Sequence, residues 1–248
     1  MIKLSVQNLS VMRDLRPILQ DISFTAQGGE FIGLIGPNGA GKTSLMRAIL
    51  GLLPHQGSCN LSALSPQAKA KHVSWLPQSR EVAWPLSVEK LVMLGRQPHD
   101  ANAEADEKAV RHAIDAMELS ELALRPATEL SGGETARALI ARCLAQETDI
   151  FMADEPLAGL DMAYQLSTLE LLSDRAKQGK LIITSVHDIG LAARYCTRFI
   201  LLGHQQILAD GKPDAIMKDT SFSEVFGIES LFAVTEDGPI FMPRKRLA

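Results

Sequence analysis

Short unbroken apolar runs alternate along this chain with stretches in which apolar residues recur every three or four positions. Phe31-Ile32-Gly33-Leu34-Ile35 is one such run and reads as a buried strand, with residues 44–50 following as a helix. Residues 2–9 and 18–26 alternate like strands, with a turn around 13–17. Residues 54–70 carry no clear period. Residues 73–76 read as a strand stopped by Pro77, and Ser87 opens a capped helix running to Leu94. Residues 103–117 predict a second helix, with Ala109, Val110, Ala113, Ile114 and Met117 on its core face. From residue 150 the pattern becomes strand, helix, strand. Residues 150–153 form an apolar strand, and Asp161 caps a helix lined by Met162, Leu166, Leu169, Leu172 and Ala176, ended by Gly179. Residues 181–185 read as a strand and 188–195 as a helix. Residues 199–202 and 206–209 read as a hairpin around Gly203-His204. This alternation predicts an α/β fold with a mostly parallel sheet and helices on both faces. The helical stretch 86–146 separates two strand-rich segments and reads as a subdomain. In the last segment, Phe222, Val225, Phe226, Ile228, Leu231 and Phe232 are expected to pack on the core.

Composition narrows the classes. The 248 residues are 46% hydrophobic and 22% charged, which fits a soluble globular protein of one large domain or a core with a subdomain. The net charge of −4 and the lack of a basic stripe argue against a nucleic-acid partner. Arg244-Lys245-Arg246 reads as a solvated tail. Cys59, Cys143 and Cys196 are odd in number and widely spaced, which suits a reducing cytosol rather than a disulfide or zinc framework. The histidines lack metal-ligand spacing, no apolar stretch is long enough to span a membrane, and residues 1–6 alternate like a strand rather than a signal peptide.

Chemistry concentrates at three places. Gly36-Pro37-Asn38-Gly39-Ala40-Gly41-Lys42-Thr43, followed by Ser44, fits the phosphate-binding pattern G-x-x-x-x-G-K-[ST] between a strand and a helix. Glycines let successive N–H groups face one anion, the helix N-terminus adds partial positive charge, Lys42 can reach β- and γ-phosphates, and the Thr43 hydroxyl can ligate Mg²⁺. The strand Ile150-Phe151-Met152-Ala153 delivers Asp154 and Glu155 at its C-terminal end, where open α/β sheets bind ligands. Asp154 suits Mg²⁺, and Glu155 can polarise an attacking water. Leu130-Ser131-Gly132-Gly133-Glu134 opens another helix and offers a second oxyanion cradle. Two copies of the chain could each lend one cradle to a shared nucleotide.

This combination resembles the ATP-binding cassette (ABC) family over nearly the whole chain. Gly36–Thr43 is similar to its Walker A, Gln78 to its Q-loop glutamine, and Leu130–Glu134 to its signature. Residues 150–155 are similar to its Walker B, Ala158-Gly159-Leu160-Asp161 to its D-loop, and His187 to its switch histidine. The resemblance implies a P-loop NTPase (RecA-like) core at about 1–85 and 147–218 with an antiparallel β subdomain. It also implies a helical signature subdomain at about 86–146 and a C-terminal extension at about 219–248. It implies a head-to-tail homodimer with ATP between Walker A of one copy and Ser131, Gly132, Gly133 and Glu134 of the other. Thr43, Gln78 and Asp154 would arrange Mg²⁺. Glu155 would act as catalytic base, His187 would contact the γ-phosphate, and Asp161 would link the two sites. Three places depart from the common pattern. Ala136 stands where many relatives have glutamine, and Leu157-Ala158-Gly159 replaces Thr-Ser-Ala. Met12 falls where an adenine-stacking aromatic is common, leaving Met12 or Arg13 to cover the ring.

About 89 residues separate Lys42 from Ser131, too few for the long coiled coils of chromosome-maintenance relatives. One cassette without an attached membrane span resembles a separate ATPase subunit. Leu94-Gly95-Arg96-Gln97-Pro98-His99, Leu160–Leu166 and the Val186-His187-Asp188 segment are similar to importers of iron-siderophores, haem and cobalamin. That likeness implies a bacterial complex at the cytoplasmic face of the inner membrane. It would hold two copies of this chain, two copies of a multi-span permease and a substrate-binding protein. The groove at about 78–93 would receive the permease, with Trp84, Pro85 and Leu86 as apolar contacts or, alternatively, as subdomain core. A soluble ABC ATPase acting on a cytosolic partner, and the ATPase of another transporter class, remain open at this point.

Overall fold

The computed structural model describes residues 3–100, 102–236 and 238–247. Met1 and Ile2, at the head of the expected first strand, lie outside the described residues. In chain order the elements are β1 (Lys3–Arg13), β2 (Arg16–Gln27), β3 (Phe31–Ile35), α1 (Lys42–Ile49), β4 (Gln56–Cys59), α2 (Pro66–His72), β5 (Val73–Leu76), α3 (Val88–Met93), α4 (Ala103–Ala116) and α5 (Gly132–Ala145). There follow β6 (Ile150–Ala153), α6 (Met162–Lys177), β7 (Leu181–Ser185), α7 (Ile189–Ala193), β8 (Arg198–Gly203), β9 (Gln206–Gly211), α8 (Pro213–Ile216), α9 (Thr220–Phe226), β10 (Ile228–Thr235) and β11 (Gly238–Arg246). The chain divides into two compact units, one of Met1–Leu64 with Ser173–Ala248 and one of Ser65–Leu172.

In the first unit, β7, β3 and β8 run parallel side by side, and β9 closes the edge antiparallel to β8. Every residue of β3 and β7 is buried, as a parallel strand covered on both faces requires. A separate antiparallel sheet has the order β2–β1–β4. In β1 the core side chains Leu4, Val6, Leu9 and Val11 follow the strand period through irregularities of register. Arg198, at the start of β8, donates to Asp210, Glu30 and the Thr25 carbonyl and so ties β2, the approach to β3, and β9 together. These carboxylate partners, Asp210 foremost, raise the guanidinium pKa above its ordinary value. The β8–β9 turn places His204 and Gln205 at φ 46° and 69°, as a primed hairpin turn demands.

In the second unit, β5 and β6 pair in parallel, and α3, α4 and α5 pack against one another. Each helix start carries a side-chain cap. Ser65, Ser87, Asn102 and Ser131 accept from N–H groups of α2, α3, α4 and α5. The apolar stripe of α4, with Met117 just beyond its end, is buried as its spacing predicts. The segment 94–99 has a structural reason. Arg96 donates to Asp106 and Glu147 at 2.8 Å each and to the Ala145 carbonyl at 2.7 Å, while His99 Nε2 lies 2.8 Å from the Gln146 carbonyl. Together they satisfy orphan carbonyls at the C-terminus of α5, where the Arg96 cation also suits the helix dipole.

Several expectations change. The unassigned stretch 54–70 holds β4, paired antiparallel with β1, and most of α2. On α6, Leu169, Leu172 and Ala176 are buried, but Met162 is 81% exposed and Leu166 is also exposed. The Asp161 cap sets the start of that helix, and its first turn stands outside the core. The basic residues Arg244-Lys245-Arg246 are solvent-exposed as expected but end β11 rather than forming a tail, and Lys245 pairs with Glu229 at 3.1 Å. Phe222 is fully buried between Phe226 and Phe241, whereas Leu231 is exposed on the hairpin.

Candidate functional site

The first unit carries the phosphate loop. β3 ends at Ile35, the chain turns through residues 36–41, and α1 begins at Lys42. Gly36 has φ 146°, and a Cβ there would collide with the Leu202 carbonyl oxygen of β8. Gly41 is the left-handed N-cap of α1 at φ 97°, and its Cβ would lie 2.7 Å from Leu19. Both positions therefore require glycine. Pro37 and Ala40 form the rim, joined by an Ala40 N–H to Pro37 carbonyl bond of 3.2 Å, while Asn38 and Gly39 are exposed. Lys42 is only 7% exposed, and its ammonium donates to the Gly36 carbonyl at 2.7 Å and the Pro37 carbonyl at 3.0 Å. Thr43 and Ser44 occupy the first turn of α1, half-buried. That helix has no side-chain cap and no acidic residue in its first turn, which leaves its dipole for an anion. His187 belongs to the same face. β7 pairs in parallel with β3 with Ser185 opposite Leu34, and Val186 donates to the Leu34 carbonyl. Exposed His187 therefore leaves its strand beside the strand that feeds the loop, with Asp188 capping α7 behind it.

The second unit carries the carboxylates. β5 and β6 are parallel with Leu76 opposite Ala153, and Asp154 donates its N–H to the Leu76 carbonyl at 2.9 Å. Gln78, exposed, and Asp154 with Glu155 thus leave adjacent strands at the same end. Asp154 is 1% exposed. Glu155 is half-buried and holds a left-handed backbone at φ 54°, which costs a non-glycine residue about 1–2 kcal/mol. Among the described residues no cluster of three His, Cys, Asp or Glu gathers a metal by protein alone. Within this unit the buried Asp154 carboxylate and the exposed Gln78 amide are oxygen donors of the kind Mg²⁺ takes.

Ser131 stands exposed at the head of α5 in a capping box. The Glu134 N–H donates to Ser131 Oγ at 3.3 Å, and the Ser131 N–H donates to Glu134 Oε2 at 2.7 Å. The backbone bond to Ser131 lowers the Glu134 pKa below its usual value. Among the described residues a Cβ added at Gly132 would meet nothing within 4 Å, and one at Gly133 would lie 3.3 Å from the carbonyl oxygen of Gly159. Asp161 caps α6 through the Tyr164 N–H at 3.0 Å. Ala136 is buried within α5. Met12 is exposed on β1 next to exposed Arg13, and Trp84 is 74% exposed rather than part of the subdomain core.

Two arrangements had no sequence signal. Arg80 donates to the carbonyls of Glu155 and Ala158. Arg137, buried on α5, donates to the Met117 and Glu118 carbonyls and stacks its guanidinium 3.9 Å from the Tyr164 ring centre.

The family model described as ABC transporter matches residues 19–158, more than half of the chain. The hemin import ATP-binding protein of Pseudomonas aeruginosa is 36% identical over 239 residues, covering 92% of this chain and 94% of that protein. The cobalamin import ATP-binding protein of Halobacterium salinarum is 33% identical over 232 residues, covering 90% of this chain and 58% of that one. Among solved structures, one described as a metal-chelate type ABC transporter in an inward-facing conformation superposes with a TM-score of 0.83 at 26% identity, covering 98% of this chain and 97% of that one. A phosphate loop on β3, paired acids on β6 and a capped signature helix, found together with these likenesses, place the chain in the ABC transporter family, as one of its ATP-hydrolysing cassettes.

Proposed function

We propose that this chain dimerises and powers import of a metal chelate (iron-siderophore, haem or cobalamin) through a separate membrane permease. The observation that carries this reading is the nearly full-length likeness to a hemin import ATP-binding protein. The cobalamin import relative supports the same substrate class. Among the described residues no helix is long and apolar enough to cross a membrane. Exposed Trp84 and Pro85, with Leu86, supply an apolar surface for that permease at the cytoplasmic face of the inner membrane.

The residues have the following roles. Gly36, Pro37, Asn38, Gly39, Ala40, Gly41, Lys42, Thr43 and Ser44 hold the ATP phosphates. Lys42 exchanges its two loop carbonyls for phosphate oxygens. Thr43, Gln78 and Asp154 would hold Mg²⁺, which would neutralise phosphate charge. Glu155 accepts the proton of the water that attacks the γ-phosphorus; the P–O bond to ADP breaks and phosphate leaves. His187 donates a hydrogen bond to the γ-phosphate. From the second copy, Ser131, Gly132, Gly133 and Glu134 present the start of α5. The Ser131 oxygen accepts within the cap, yet its hydroxyl can still donate to a phosphate. Asp161 links the two nucleotide sites through the start of α6. Closure on ATP and reopening after hydrolysis form a two-state device biased by the γ-phosphate.

The test is affinity purification of the chain from detergent-solubilised membranes of its own cells. The proposal expects a multi-span permease to co-purify. Recovery of soluble proteins alone would favour an ABC ATPase working on a cytosolic partner.

A further inference from the structure

The loop that leaves β5 returns a cation to the end of β6. Leu76 and Ala153 are register partners on parallel strands, so the chain after each emerges at the same end. Arg80, four residues beyond Leu76, reaches across with both terminal nitrogens. Nη2 donates to the carbonyl of Glu155 and Nη1 to the carbonyl of Ala158. Those two residues are the first and last of one turn, because the Ala158 N–H donates to the Glu155 carbonyl at 3.2 Å. A planar guanidinium fork suits two acceptors held at a fixed spacing. The turn needs such a brace, since Glu155 is held at φ 54°, a conformation that persists only where surrounding contacts over-determine it. Burial of Arg80 weighs against its charge, and the attraction of Glu155 partly offsets that cost.

We propose that Arg80 is a positioning residue for hydrolysis: it closes the turn that carries Glu155 and so fixes where that carboxylate points. This rests on the reading of Glu155 as the base that takes the proton of the attacking water. Arg80 itself touches neither phosphate nor water in this role. It acts on the rate of chemistry and leaves nucleotide affinity to the phosphate loop.

The experiment measures steady-state hydrolysis, equilibrium ATP binding and thermal melting for Arg80→Ala and Arg80→Lys. Arg80→Ala is expected to lower kcat by about 10- to 100-fold, with KM for ATP within about threefold of wild type. Arg80→Lys recovers part of the rate, because an ammonium offers donors without the fork. In a Glu155→Gln background, single-turnover hydrolysis shows no further loss on adding Arg80→Ala, since both act through one carboxylate. An unchanged kcat in Arg80→Ala, or losses that multiply with Glu155→Gln, would overturn the proposal. So would a loss of ATP binding that matches the loss of rate, which marks a merely structural residue. Wild-type turnover by Glu155→Gln would overturn the base assignment and this proposal together. A slow Glu155→Gln beside a normal Arg80→Ala would remove only the role of Arg80.

Discussion

Replacing Arg96 with methionine keeps the aliphatic packing of this 7% exposed side chain and removes its guanidinium. Three partners then lose a donor. Asp106 is mostly buried, and its charged hydrogen bond to Arg96 is worth about 1.5–3 kcal/mol. The Ala145 carbonyl at the end of α5 loses a 2.7 Å bond, at about 1–3 kcal/mol if nothing replaces it. Glu147 is more than half exposed, so its ion pair is screened and contributes under about 1 kcal/mol. These values overlap because they share one guanidinium, and the expected loss is about 3–5 kcal/mol. The two tryptophans, Trp75 and Trp84, both lie in the unit Ser65–Leu172 that contains Arg96, so their fluorescence in a urea titration reports its unfolding directly. Asp106→Asn combined with Arg96→Met should give a coupling of about 1–3 kcal/mol. A loss below about 1 kcal/mol would refute the reasoning, because it would mean that the network at the end of α5 contributes no more than a surface pair.

Gly36→Ala should raise the ATP dissociation constant by at least about tenfold, because the added methyl meets the Leu202 carbonyl and the loop must shift; titration calorimetry checks this, and wild-type affinity would contradict it. Glu134 titrates in the folded chain below its usual value of 4.5, so the capping-box contribution is complete above that value and fades as pH falls through the lowered one. Carboxyl NMR measures this titration, and a native value at or above 4.5 would contradict it. Burial pushes the Cys143 thiol up to about 11 and the Cys196 thiol higher still, so neither reacts with a thiol reagent at neutral pH until the chain is unfolded. Mass spectrometry of native and denatured samples counts the labelled sites.

What was legible in the sequence was local. The loop at 36–43 announces itself because glycine spacing, a lysine and the flanking apolar run are all short-range, and β3 falls on the predicted residues. Ser131 and Glu134 stand at capping-box spacing and form one. β4 was illegible because a four-residue edge strand exists only through its pairing with β1, some fifty residues earlier. The hairpin β10–β11 was illegible for a related reason. Its exposed face carries Leu231, Ile240 and Met242, so the alternation expected of a half-buried strand is blurred. Arg80 could not be found from sequence, because its partners are backbone carbonyls 75 and 78 positions away and leave no mark on side-chain identity. The segment 94–99 resembles importers in sequence, but the bonds of Arg96 to the end of α5 arise only in the fold, since the Ala145 carbonyl it meets lies 49 positions away.

The central claim is that Lys42 binds nucleotide and Glu155 drives its hydrolysis. It is tested most directly by phosphate release from Mg-ATP with the purified wild-type chain, Lys42→Ala and Glu155→Gln. The account predicts hydrolysis by wild type and weak ATP binding by Lys42→Ala. It predicts that Glu155→Gln binds ATP normally and turns over about 10²- to 10⁴-fold more slowly. Near-normal turnover by Glu155→Gln would contradict it.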